Sequence, residues 1–124
     1  MIVRTGTALL LLAALSAPAL ADSYPVSGRW GVSASTTKGA IDCTGKRVIT
    51  FAGDERFDTG GGVPGYHNKS VRTDGTGNRW RIVDQFSNGQ IRAGSTMLVL
   101  TRIDADHIVL DLQGGHTLKL QRCK

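Results

Sequence analysis

The chain has 124 residues, 15 of them basic and 10 acidic, which gives a net charge of +5 at neutral pH. A chain of this length holds one small domain with a single hydrophobic core. Its positive charges are scattered, and even the densest spots, such as Lys46-Arg47 and Arg79-Trp80-Arg81, do not form a run like those of nucleic-acid-binding tails. We therefore expect no nucleic-acid partner.

Residues 1–21 have the organisation of a secretory signal peptide. Arg4 supplies the positive start, an apolar run follows, and Ala19-Leu20-Ala21 matches an A-x-A cleavage site. The apolar run is shorter than the roughly 20 residues needed to span a bilayer, which argues against a membrane anchor. We therefore predict cleavage after Ala21, a periplasmic or secreted single domain of residues 22–124, and no integral membrane segment after signal removal.

The first half of the mature chain reads as short strands separated by glycine-rich loops. Alternating apolar residues predict one strand around Trp30 and another over residues 47–51, and two more are expected around Phe57 and over residues 66–72. Glycines clustered with Thr, Asp and Pro mark loops at residues 59–65 and 73–78. No helical period is visible in the mature chain.

Asn88-Gly89 predicts the turn of a tight β-hairpin, because a type I′ turn needs positive φ at both central positions. A two-residue loop places Trp80 opposite Met97 and points Leu98 and Leu100 away from the apolar face. The inner face predicted in this way comprises Trp80, Ile82, Phe86, Ile91, Ala93, Met97, Val99 and Ile103.

Two further turns complete the predicted sheet. The aspartate-rich turn after Ile103 sets Ile103 opposite Ile108, and a three-residue loop at residues 114–116 sets Leu112 opposite Leu118 and keeps every leucine of the last two strands inside. A two-residue loop at residues 114–115 is the alternative. The chain is thus predicted to be all-β, an antiparallel up-and-down meander of seven or eight strands that closes into a small barrel, with a β-sandwich as the alternative.

The mature chain keeps two cysteines, Cys43 and Cys123. In an oxidising compartment an isolated pair is most simply a disulfide bond, which here would tie the C-terminus to an early part of the fold. The competing interpretation is a free catalytic thiol. It is disfavoured because no Cys–His pairing is visible and Cys123 is the penultimate residue.

Gly28-Arg29-Trp30 opens the first strand, and Arg122 lies near the end of the last one. This pairing resembles the calycin-type barrels, the lipocalins and their relatives, in which a Gly-x-Trp on the first strand packs under an arginine from the final strand. The resemblance implies that Trp30 closes the barrel floor and that Arg122 stacks on it as a cation–π pair. The chain is shorter than a lipocalin and nearer in length to small exported bacterial barrels, although it lacks the inhibitory segments of the periplasmic protease and lysozyme inhibitors.

Asp84 lies on the predicted inner face between two apolar residues. An unpaired buried carboxylate is costly, so Asp84 is expected either to sit at the barrel rim or to make a polar contact inside a ligand cavity. The residues predicted to line such a cavity are Trp80, Asp84, Phe86, Met97 and Leu110.

The sequence predicts no catalytic site, no metal site and no cofactor. The three histidines are not spaced as metal ligands, and Asp54 and Glu55 are adjacent, so their side chains would face opposite ways in a strand. A weak alternative is a small secreted hydrolase that uses Glu55, His67 and His116 as acid and base groups.

We therefore expect a non-catalytic exported binding protein for a small apolar ligand. The alternative is a protein-recognition module, such as an inhibitor of a secreted protease or lysozyme, which would present the loop residues Val63, Pro64 and Tyr66 and a free N-terminal segment at residues 22–26. An envelope stability factor without a ligand site is the second alternative.

Overall fold

The computed structural model describes residues 23–87 and 93–124. The predicted signal peptide and the tip of the Asn88-Gly89 hairpin lie outside the described residues. No helix in these two ranges is long and apolar enough to cross a membrane. The strands are β1 (Gly28–Val32), β2 (Val48–Ala52), β3 (Glu55–Asp58), β4 (Gly65–Thr73), β5 (Arg79–Phe86), β6 (Gly94–Arg102), β7 (His107–Leu112) and β8 (Thr117–Arg122).

The eight strands form a closed barrel in which each strand pairs with its sequence neighbours and β8 returns to β1. Every pairing is antiparallel, and the closing seam sets Trp30 opposite Arg122 and Val32 opposite Leu120. The predicted all-β meander and barrel are confirmed, and the sandwich alternative is excluded. Closure leaves no unpaired sheet edge, so a short chain can satisfy the backbone groups of all its strands.

The register predicted for the β5–β6 hairpin is wrong. Trp80 lies opposite Leu100 and not Met97. A shift of three residues exchanges the two faces of β6. Leu98 and Leu100 are therefore buried inside the barrel, whereas Met97 lies on the outer face of β6 with 44% of its surface exposed.

The β6–β7 and β7–β8 registers also differ from prediction. Arg102, not Ile103, lies opposite Ile108, so Ile103 is 62% exposed outside the barrel. In β7–β8 the register differs by two residues, which sets Leu110 opposite Leu118. An even shift preserves the faces, and the leucines of these strands therefore stay on the inner side as predicted.

Side chains fill the barrel interior. The predicted free N-terminal segment is part of this core: Tyr24 and Val26 are each only 7% exposed, and the Tyr24 amide donates to the carbonyl of Gly53 at 2.9 Å. The largest apolar members of the core are Trp30, Ile49, Phe51, Ile82, Leu98, Leu100, Ile108, Leu110 and Leu120.

The segment after β1 crosses the outside of β8 as a strap, defined here as residues 33–41. The Ser33 amide donates to the carbonyl of Lys119 at 2.9 Å, and the buried Gln121 side chain donates to the carbonyls of Thr37 and Gly39. Just beyond the strap, the predicted disulfide between Cys43 and Cys123 is confirmed. The strap is thus held against the barrel at both ends.

Candidate functional site

The two residues predicted to close the barrel lie together at the β1–β8 seam. The Arg122 guanidinium is 4.4 Å from the centre of the Trp30 ring, and Trp30 is almost completely buried. The same guanidinium donates to the carbonyl of Ala105 at 2.9 Å and lies 3.6 Å from the Asp106 carboxylate. Arg122 therefore connects Trp30 of the β1–β8 seam to the β6–β7 turn, which is a structural role.

Asp84 is fully buried and does not sit at the rim. One carboxylate oxygen accepts a hydrogen bond from Arg56 Nε at 3.0 Å and lies 2.9 Å from Arg56 Nη2 in the ion pair. The other accepts from the Tyr24 hydroxyl at 2.7 Å and from the side-chain amide of Asn68 at 3.3 Å. Arg56 was not predicted as the partner of Asp84, because a lone arginine in a four-residue strand carries no signal of burial.

This buried network occupies the space that a ligand inside the barrel would need. Arg56 lies 3.8 Å from the centre of the Tyr66 ring, and Tyr66 contacts Phe86 edge-on at 5.7 Å. Burial raises the pKa of the Tyr24 hydroxyl well above its usual value, and the negative charge of Asp84 adds to the shift. Tyr24 therefore stays a hydrogen-bond donor to Asp84 throughout the ordinary pH range.

The predicted cavity residues consequently do not enclose one cavity. Leu110 is fully buried in the apolar core, Phe86 packs against Tyr66, and Met97 lies outside. Trp80 is half-buried at the start of β5, the end away from Phe86, and the Arg102 guanidinium lies 5.6 Å from the centre of its ring.

An apolar groove of about 280 Å³ lies on the outside of the barrel, between the strap and β7. Its walls include Ala34 of the strap, Ile103 of the β6–β7 turn and Val109 of β7. Lys119 stands opposite Val109 in the β7–β8 ladder and also lines the groove. We call this feature the strap groove.

A histidine–aspartate pair lies beside the strap groove. Nδ1 of His107 is 2.7 Å from an Asp104 carboxylate oxygen, and this hydrogen bond holds the pKa of Asp104 below its usual range. Within the described residues His107 Nε2 has no hydrogen-bond partner. The nearby hydroxyl of Ser33 accepts from the Ser35 amide at 3.2 Å, and neither serine is hydrogen-bonded to His107, so no serine–histidine–aspartate triad is assembled in this part of the chain.

The glycine-rich loop at residues 59–65 is fixed by hydrogen bonds to Asp58. The Asp58 amide donates to the carbonyl of Pro64 at 3.3 Å, and the Gly60 amide donates to the Asp58 carboxylate at 2.9 Å. Pro64 is exposed and Val63 is half-buried, but Tyr66 belongs to β4 and is engaged with Arg56. The loop is therefore ordered, and only part of the predicted partner surface is free.

Asp54, Glu55 and His67 come together on the outer surface. Glu55 and His67 are cross-strand partners in β3 and β4, and one ligand atom from each of the three side chains lies within 4.8 Å of the others. The prediction that Asp54 and Glu55 face opposite ways is wrong, because Asp54 lies in the β2–β3 turn and not in a strand. The third residue of the hydrolase alternative, His116, lies in the β7–β8 turn and is not part of this group.

Comparison with known proteins gives no match to a family model, a curated protein or a solved structure. The resemblance to calycin-type barrels therefore stays a prediction from Gly28-Arg29-Trp30 and Arg122.

Proposed function

We propose that this chain is a non-catalytic exported binding protein, periplasmic or secreted, that holds a small and largely apolar molecule in the strap groove. The observation that carries the proposal is the exposure of Ile103, the most exposed large hydrophobic residue of the described chain, beside an apolar groove. A ligand in this groove would remove the Ile103 side chain from water, which is the main source of affinity for apolar molecules.

The filled interior supports a site on the outside. In larger eight-stranded barrels the interior can hold one small ligand. Here the Arg56–Asp84 pair and the surrounding core take that place, and opening it would expose two charges that are now paired and desolvated. The strap groove requires no such change.

Lys119 indicates that the ligand carries an acidic group. Within residues 23–87 and 93–124 this lysine forms no ion pair, whereas the nearby Asp104 is already engaged by His107. A volume of about 280 Å³ is at the lower end of the range for ligand sites, so the ligand is small.

The export proposal is supported by the disulfide between Cys43 and Cys123, which is typical of oxidising compartments. The predicted signal peptide at residues 1–21 gives the same indication. The N-terminal sequence of the protein recovered from its host, compared with the predicted cleavage after Ala21, tests this part.

The binding proposal can be tested with two fluorescent probes of similar shape. 8-Anilinonaphthalene-1-sulfonate carries an anionic group, and N-phenyl-1-naphthylamine is uncharged. We expect Ile103→Ser to weaken both probes roughly tenfold, which corresponds to about 1.4 kcal/mol of lost apolar burial. Lys119→Gln should weaken only the anionic probe.

Met97→Ser is the matched control, because Met97 is also a large exposed hydrophobic residue but does not line the strap groove. Unchanged binding by Ile103→Ser, or an equal loss in Met97→Ser, would refute the assignment of the groove.

The protein-recognition alternative rests on the loop at residues 59–65. It is the weaker candidate, because the aromatic side chain expected to lead the contact, Tyr66, is held under Arg56 and against Phe86. Pro64 and the neighbouring Phe57, which is 44% exposed, are the parts of this surface that remain accessible.

A further inference from the structure

We propose that Asp54, Glu55 and His67 bind a divalent transition-metal ion of the zinc class. This inference is independent of the strap groove, which is built from other residues and other strands. The three side chains supply one imidazole nitrogen and two carboxylate groups, which are ordinary ligands of zinc and of related ions.

The backbone fixes the relative position of the three ligands. Glu55 and His67 are directly opposite each other in the β3–β4 ladder, and on one face of an antiparallel pair such side chains are close neighbours. The Asn68 amide donates to the carbonyl of Asp54 at 2.7 Å, which attaches the β2–β3 turn to the strand that carries His67. Two of the three ligands, Glu55 and His67, are therefore carried by paired strands, which hold side chains more accurately than loops do.

The distances fit an ion after a small side-chain movement. Ligand atoms at about 2.1 Å from a tetrahedral ion lie about 3.4 Å from one another. The three ligand atoms are now within 4.8 Å of one another, and Asp54 and His67 are exposed, so their side chains are free to close the remaining distance by rotation.

The charge balance of this surface also favours a cation. Several carboxylates of the described chain are paired with an arginine, as in Asp58 with Arg47 and Asp84 with Arg56. Within residues 23–87 and 93–124, neither Asp54 nor Glu55 forms an ion pair with a lysine or an arginine. Two like charges held close together repel each other, and a bound cation would remove this repulsion.

The proposed ion would keep an open coordination position. Three protein ligands leave at least one position of a four-coordinate ion for water or an external ligand. Glu55 and His67 also line a groove of about 470 Å³, whose other walls include Phe57 and Gln85. A small anionic or nitrogen-containing molecule in this groove is therefore within reach of the ion.

Isothermal titration of the tag-free mature protein with ZnCl₂ tests the proposal. We expect one high-affinity Zn²⁺ per chain, and at least tenfold weaker binding in each of His67→Ala, Asp54→Asn and Glu55→Gln. In two-dimensional NMR spectra the imidazole signals of His67 should shift first. CaCl₂ at the same concentration should leave these signals unchanged, because imidazole is a poor calcium ligand.

His116→Ala is the matched control, since it removes a histidine of the β7–β8 turn and leaves the three proposed ligands in place. It should bind Zn²⁺ as the parent protein does. Melting curves in the presence of EDTA should be the same for all four variants and the parent, because the substituted side chains are not part of the core. Absence of Zn²⁺ binding, or binding that His67→Ala leaves intact, would overturn the proposal.

Discussion

The buried ion pair between Arg56 and Asp84 gives the most discriminating test of how this barrel is stabilised. Both side chains are at most 3% exposed, and both Nε and Nη2 of the guanidinium lie within 3.0 Å of one carboxylate oxygen. Asp84→Asn removes the negative charge and leaves the guanidinium buried without its counter-ion. Breaking a buried pair from one side typically costs 3–5 kcal/mol.

This cost is large relative to the whole stability of the domain. Domains of this size unfold with about 5–15 kcal/mol, and each kcal/mol changes the melting temperature by roughly 4–8 °C. We therefore expect Asp84→Asn to lower the melting temperature by at least about 12 °C. The matched control is Asp74→Asn, because Asp74 is 36% exposed and lies 3.4–3.5 Å from Arg79 and Arg81, a kind of pair worth about 1 kcal/mol or less.

A double variant separates the value of the pair from the cost of breaking it. Arg56→Met together with Asp84→Leu replaces both charges by apolar groups of similar volume, a change that is often neutral or stabilising. The double variant should therefore be more stable than either Arg56→Met or Asp84→Asn alone. Urea unfolding with the disulfide intact measures these free energies. The reasoning is refuted if Asp84→Asn costs no more than Asp74→Asn, or if the double variant is as unstable as the single ones.

Three further predictions concern pH and the disulfide. Burial raises the pKa of Tyr24, so the contribution of Tyr24 to the free energy of unfolding should stay constant below about pH 10 and fall above it, where the tyrosine of the unfolded chain ionises first. Tyr24→Phe should remove this fall and cost about 1.5–3 kcal/mol at neutral pH, as seen in urea unfolding at several pH values. Burial alone would raise the pKa of Asp58, but the hydrogen bonds from Arg47 and the Gly60 amide outweigh it and lower the pKa. The contribution of Asp58 to the free energy of unfolding is therefore present above about pH 4 and lost as the pH falls through the lowered pKa. Asp58→Asn should remove this contribution, so the free energy of unfolding should depend less on pH in acid. Replacing Cys43 and Cys123 by alanine opens a loop that spans 80 positions, which should lower the free energy of unfolding by about 4.5 kcal/mol.

The alternation of apolar residues was sufficient to predict the fold class and most strands. The four strands after residue 78 and the turns between them follow from period-two patterns interrupted by Gly, Asn and Asp. Gly114 and Gly115 both have positive φ, which explains why the β7–β8 turn was placed correctly even though its register was not. A register error of two residues leaves every side chain on the same face of the sheet, so the leucines of β7 and β8 were assigned to the correct face.

The β5–β6 register could not be predicted from the Asn-Gly signal alone. That signal favours a two-residue turn locally, whereas burial of Leu98 and Leu100 contributes roughly 1.5–3 kcal/mol for each side chain and decides the register. The pair of Phe86 and Gly94 also fixes this register. The two residues lie opposite each other, and the aromatic ring covers the glycine, which leaves no space for a larger side chain there.

The candidate metal site was not predicted because Asp54 was assigned to the same strand as Glu55, whereas it lies in the turn before that strand. Treating Asp54 and Glu55 as neighbours in one strand sends their side chains to opposite faces, and moving the strand start by one residue reverses this conclusion. The partnership of Glu55 with His67 depends on the β3–β4 register, for which the glycine-rich loop at residues 59–65 gives no turn type. Long-range pairing, not residue type, determines this site.

The size of the barrel explains why both proposed sites are on its outer surface. An eight-stranded barrel has an interior only just wide enough for its own side chains, and this one also accommodates Tyr24 and the Arg56–Asp84 pair. Replacing those groups by a ligand would require breaking a buried ion pair, whereas the strap and the β2–β3 turn add concave surface without disturbing the core. The disulfide holds the strap end of that surface in place, so loss of Cys43 and Cys123 should weaken probe binding in the strap groove and leave Zn²⁺ binding at His67 unchanged.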